Sequence, residues 1–318
     1  MATVVRHRAT ARCPLTPPEL RVSRADLVLL AANAVYGTSY VAIRFAVDDV
    51  GPATLAFLRL AIAGAILVPV YLAARNADPG AERRADRRTF FWMGFVGFTL
   101  ALALSHWGLL WSTATNAALL VATEPVALVA LSPIVLGERL TTREGWATAL
   151  AVLGATIVVV NGVPGLTVAV APHWRGDLLL LLSGVCFATY SLLGRPVLAR
   201  HPSLTVTTWS FVWGLVTTAP LAALEWRVAG PPAWTWLGVA AVLYLGAVIT
   251  GLGYLVWNWA LERVSAARAA IFLNLQPLVG TLLGVVWLGD LFTGFTAGGG
   301  VLIIAGLWLA LTGRPASR

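Results

Sequence analysis

The chain has 318 residues, of which 58% are apolar and only 11% charged; soluble domains carry about 25% charged residues, so an ordinary water-soluble globular protein is excluded. The net charge of +8 would suit nucleic acid, but the basic residues sit between apolar runs, where membrane orientation accounts for them. Two cysteines, Cys13 and Cys186, make neither a disulfide framework nor a metal cluster.

Residues 1–24 carry Arg6, Arg8, Arg12, Arg21 and Arg24 among prolines and read as a disordered basic tail. A basic start before an apolar run suggests a signal peptide. The run after Asp26 is about 20 residues long, however, and lacks a small-residue cleavage site, which predicts a retained first span. Apolar runs of membrane length follow at 27–46, 52–72, 90–111, 114–136, 145–160, 176–198, 203–224, 234–257, 266–288 and 294–312. The expected fold class is an all-α polytopic membrane protein with ten transmembrane helices. The polar loop Arg75–Arg88 holds five arginines, and 161–175 forms a seam between two halves of five spans. The division is therefore a tail (1–24), a first repeat (25–160), the linking loop (161–175), a second repeat (176–312) and a short tail (313–318).

All 22 basic residues are arginine. With a cytoplasmic N-terminus, 18 of them fall in the two tails and the loops after spans two, four, six and eight; Arg44, Arg175 and Arg227 fall opposite, and Arg59 lies inside a span. Positive charge is retained on the cytoplasmic side, which predicts an inner (plasma) membrane protein of bacterial type with both termini cytoplasmic.

The stretch 114–160 returns at 266–312, shifted by 152 residues without a gap. Pro125 falls on Pro277, Gly137 on Gly289, Glu138 on Asp290, Gly154 on Gly306, and Glu124 on Gln276. The earlier spans align at an offset of 151, matching Asp26 with Asp177, Thr38 with Thr189 and Arg44 with Arg195. Two copies of a five-span unit in one chain must face opposite ways, which predicts two inverted repeats about an axis in the membrane plane.

Glu124 sits near the centre of the fourth span. A charged side chain at the bilayer centre costs about 2.5–3.5 kcal/mol on insertion scales, so it should face the bundle interior. A carboxyl group there can take and release a proton as water reaches it, as a proton-coupled carrier requires. Two plainer readings stand beside that one: an ion pair with Arg59, placed at compatible depth in the second span, and a neutral hydrogen-bonded glutamate. Pro125 and Pro277 cannot donate to the carbonyls of Val121 and Leu273, so each centre has a freed acceptor and a candidate helix break or gate beside a polar side chain, Glu124 or Gln276.

Asn33, Tyr36, Gly37, Tyr40 and Arg44 share one face of the first span; they line a cavity or pack against another helix, with Arg44 near the interface. His106 aligns with Asn258 and is either a titrating group or a hydrogen-bond partner. Asn116 shares a face with Glu124, as Arg268 does with Gln276. The tryptophans are interfacial anchors unless some turn inward and give an aromatic cavity. Gly137-Glu138 and Gly289-Asp290 read as structural turns, and Thr141 with Glu144 as a capping box.

The stretches NAVYGTSYVAIRFAV, LAFLRLAIAG around Arg59, EPVALVALSPIVLGERL and QPLVGTLLGVVWLGDLF, in this order, resemble the EamA-type branch of the drug/metabolite transporter superfamily. The resemblance implies ten helices in two inverted repeats, cytoplasmic termini, and a central cavity open to one side at a time. Many such proteins export amino acids or other small metabolites, and the Glu-Pro form looks like that of certain amino-acid exporters. Asp290 stands where glutamate is commoner.

The expectation is a secondary exporter of amino acids or related amphipathic solutes; broad-specificity drug efflux is the alternative. A membrane-embedded enzyme is disfavoured, because Asp290 lies at a span end and Glu124 at a centre, so no carboxylate pair shares a depth. The expected partners are a small-molecule solute and the lipid bilayer, with no nucleic acid; a homodimer is left open. No cofactor and no metal is expected.

Overall fold

The computed structural model describes residues 23–75, 84–137, 141–161, 173–261, 263, 272 and 275–311. The expected N-terminal tail, Glu138, Arg268 and the start of the ninth span lie outside the described residues, as does the side chain of Asn258. Among the described residues every regular element is helical. Seven helical stretches are long and apolar enough to cross a bilayer: Arg24–Val50, Pro52–Ala74, Asp86–Leu110, Ala114–Val135, Thr142–Val160, Trp174–Leu198 and Trp236–Trp257. Helix Ser203–Ala229 has 27 residues but its threonines lower its apolar character. Two shorter apolar helices, Leu275–Leu288 and Gly294–Leu311, complete the set.

The chain marks these elements locally. Ser23 and Asp26 form a capping box at the start of Arg24–Gly37. Thr141 and Glu144 form the expected one at the start of Thr142–Val160, with the Thr141 N–H donating to the Glu144 carboxylate at 2.8 Å. Gly137 and Gly289 end their helices at φ of +69° and +70°, the left-handed region where glycine carries no Cβ penalty.

Packing repeats at the sequence offset. A methyl group on Gly154 would lie 2.5 Å from the Gly299 carbonyl oxygen, and one on Gly306 would lie 2.7 Å from the Ala147 carbonyl oxygen. Shifting Gly154 and Ala147 by 152 residues gives Gly306 and Gly299, so the two contacts exchange. In the same way Gly94 lies against Trp213, and Gly246 against Ile62. Each of these glycines adjoins or lies in a π-helical stretch, Phe95–Leu100 or Tyr244–Leu252.

One end of the bundle is held by four carboxylates that cross between the first and second halves of the chain. Glu225 accepts from the N–H groups of Ala53 and Thr54, at 3.1 and 2.7 Å, and so caps helix Pro52–Arg75. Asp290 accepts from the Thr115 N–H at 2.8 Å and caps Ala114–Val121. Asp49 accepts from the Thr235 hydroxyl, and Asp177 from Ser112. At the other end Asp86 accepts from Arg200 at 2.6 Å and pairs with His201 at 2.8 Å.

Candidate functional site

Helix Ala114–Val121 stops at the bilayer-depth centre of its stretch, and Glu124–Leu136 begins anew with Pro125 in its first turn. Proline has no N–H to donate, which leaves the Val121 carbonyl without its helical partner and favours a break here. Thr123 closes the break by donating its hydroxyl to the Leu120 carbonyl at 2.6 Å. Glu124 is thereby placed in the first turn of a half-helix, where the helix dipole favours a carboxylate.

Glu124 and Arg59 both lie deep among protein atoms, yet both keep accessible surface. They therefore border an internal space rather than a close-packed core. Tyr40 and Tyr254 each stand within electrostatic reach of both charges. Tyr254 stands in front of a packed aromatic cluster: it meets Phe211 edge-on at 5.0 Å, and Phe98 lies 4.3 Å from Phe211 and 5.1 Å from Tyr190. Of the tryptophans near these spans, Trp111 is exposed, and Trp257 packs on Leu29 and Ala260.

The Arg59–Glu124 ion pair, one of the plainer readings of Glu124, is not formed among the described residues. Arg59 instead donates its Nε to the Thr250 hydroxyl oxygen at 2.5 Å. The wider π-helical turn explains the partner: it brings the Thr250 hydroxyl to the Leu245 carbonyl, five residues back, at 2.8 Å. The Thr250 proton is then committed to Leu245, and its lone pair is left for Arg59.

Gln276 and Glu124 differ in their surroundings as well as in type. The Gln276 amide donates to Asn33 Oδ1 at 2.8 Å, while Asn33 Nδ2 donates to the Leu29 carbonyl at 2.8 Å. The residue standing to Glu124 as Asn33 stands to Gln276 is Gly184, and a Cβ placed there would meet only Thr123 Oγ1, at 3.9 Å. Tyr36 packs on Gly253, and Tyr40 on Gly280; Pro277 is buried in its helix.

Two candidates move away from this space. Asn116 does not join Glu124, because the helix break turns the two faces apart. Its amide donates to Asp177 at 3.2 Å, in a buried cluster with Ser112 and with His173, whose Nδ1 lies 2.8 Å from Asp177. Arg44 pairs with Asp48 at 2.8 Å in the same end of the bundle. That end holds a cleft of about 390 Å³ lined by Arg44, Asp48, Ser112 and Asp290. His106 is fully buried; its Nδ1 lies 3.1 Å from the Pro52 carbonyl, which fixes the tautomer and leaves Nε2 without a partner among the described residues. The sequence reading missed the Asp86–His201 and Asp177–His173 clusters as structures, though the Asp26–Asp177 match had marked one of their members.

A family model described as the EamA-like transporter family matches residues 23–160 and again 174–312. The chain is 30% identical over 292 residues to a "Probable terminal-alkyne amino-acid exporter" of Streptantibioticus cattleyicolor, covering 91% of this chain and 94% of that protein. It is 24% identical to a "Probable amino-acid metabolite efflux pump" of Salmonella typhimurium, covering 93% of this chain and 98% of that one. A solved crystal structure superposes with a TM-score of 0.59 over 90% of this chain and 96% of its own, at 24% identity, and so shares the fold.

Proposed function

The chain belongs to the EamA-like transporter family, an integral membrane transporter and not an enzyme, and on that premise we propose that it exports amino acids or related amphipathic solutes by alternating access, with proton coupling at Glu124. The observation that carries this reading is the unlike pair of centres. Gln276 has its amide satisfied by Asn33. Glu124, opposite Gly184, has a carboxylate that accepts no hydrogen bond from the described residues and borders an internal space. A carboxyl group held free at the middle of a membrane helix is suited to exchange protons or meet a solute.

Ten helices in two inverted repeats, 25–160 and 176–312, suit the exchanged contacts of Gly154 and Gly306 and the paired π-helical stretches. The family matches divide the chain at nearly the same boundaries. With cytoplasmic termini, as the arginine distribution favours, the four inter-half carboxylates lie at the outer end and close it. Exchange of access then requires these contacts to part. Tyr36 and Gln276 face the solute path on one side, with the buried Asn33 and Tyr40 packed behind them, Glu124 on the other, and Pro125 and Pro277 as its hinges.

Reconstituted protein tested against a panel of amino acids and cationic drugs, with and without a pH gradient, decides the matter. Gradient-driven amino-acid flux supports the reading. Flux of drugs alone favours the efflux alternative, and no flux of either would sink the proposal.

A further inference from the structure

We infer that Arg59 is the group that recognises a free carboxylate on the solute, with Glu124 taking the solute's ammonium group across the same space. The inference rests on the reading of that space as the solute path.

Arg59 lies within helix Pro52–Arg75, at the depth where a charge needs a partner. Its one hydrogen bond among the described residues engages only Nε, and Thr250, which holds it, is itself buried and fixed by Leu245. The two terminal nitrogens of the guanidinium meet no acceptor among the described residues. The ion pairs described elsewhere, Arg44–Asp48 and Arg200–Asp86, show how the same fold closes an arginine that is not meant to bind anything. Arg59 is oriented but not closed. A planar fork with its outer donors free matches a carboxylate in two parallel hydrogen bonds.

Glu124 completes the arrangement. It makes no ion pair with Arg59, yet Tyr40 and Tyr254 stand within reach of both charges. The two charges share these tyrosines as neighbours and both keep accessible surface, so they face one space without neutralising each other. The Tyr254 ring, partly buried and backed by the packed rings of Phe98 and Phe211, offers an apolar face for the rest of such a solute. A molecule lacking the carboxylate leaves Arg59 uncompensated, and one lacking the ammonium leaves Glu124 so; this discriminates more strongly than apolar fit does.

The test is counterflow into proteoliposomes with radiolabelled L-phenylalanine, its amide and its N-acetyl derivative as probes. For the unmodified chain, phenylalanine is expected to exceed the amide at least tenfold. Arg59→Gln is expected to bring these two within about twofold of each other while Glu124→Gln keeps the preference over the amide and loses the preference over the N-acetyl derivative. Thr250→Val retains the guanidinium but releases it, and is expected to narrow the first ratio at least threefold. It serves as the readout if Arg59→Gln does not fold. Equal movement of amide and free acid by the unmodified chain, or an undiminished ratio in the folded variants, overturns the Arg59 assignment and leaves amino-acid transport standing. Movement of none of the three probes overturns both.

Discussion

Gln276 donates to Asn33 across 2.8 Å, and the place that corresponds to Asn33 in the other half is Gly184. One centre is thus closed by a side-chain amide, while the other has room and a carboxylate. Four consequences can be measured.

Gly184→Asn should supply Glu124 with the partner that Gln276 already has. The backbone leaves room for it, since a Cβ there meets only Thr123 Oγ1 at 3.9 Å. Thermal stability should hold or rise by about 0.5–1.5 kcal/mol, and transport should fall at least tenfold. Unaltered flux in a variant shown to fold would separate Glu124 from function.

Glu124→Gln should remove pH-gradient-driven flux and leave solute exchange partly intact, because the amide keeps the shape but carries no proton between sides. Liposomes with an imposed gradient check this. Gradient-driven uptake at the unmodified rate would refute the coupling role.

Asp177→Ala should destabilise the protein by about 2–4 kcal/mol, since Ser112, Asn116 and His173 each lose their shared acceptor in a buried site. Unfolding in detergent measures the loss. Asp177→Asn keeps one acceptor oxygen and should cost less. If the two variants unfold alike, the cluster is not held by hydrogen bonding.

Gly154→Ala should cost about 1–3 kcal/mol, because its methyl group would meet the Gly299 carbonyl at 2.5 Å. Gly64→Ala is the control: it is helical with open space around it, and should be neutral or stabilising. Equal stabilities of the two variants would show that the Gly154 helix is not closely seated.

Much of this was legible because the bilayer imposes simple rules. Membrane-length apolar runs, a proline after Glu124, and glycines at 137 and 289 each act within a few residues of themselves, so the break at Glu124 and the helix ends followed from local chemistry. Partners did not follow. Arg59 was set against Glu124 because depth was the only coordinate available, whereas its partner is chosen by a π-helical turn that brings Thr250 forward. That turn has no compositional mark in YLGAVITGL. Asn116 was assigned by helical periodicity to the face of Glu124, and the periodicity ended at the very break that the proline predicts. Helix Ser203–Ala229 shows the converse: its threonines weaken the apolar signal, and several of them are buried against neighbouring helices.

The paired π-helical stretches carry a consequence about geometry. A π-helical turn bonds i to i+5 rather than i+4 and so is locally wider than an α-helical turn. Phe95–Leu100 and Tyr244–Leu252 overlap at the offset that also relates Gly94 to Gly246. The same widened turn therefore recurs at matching places in the two stretches that the family model matches, and in the second of them it is what presents Thr250 to Arg59.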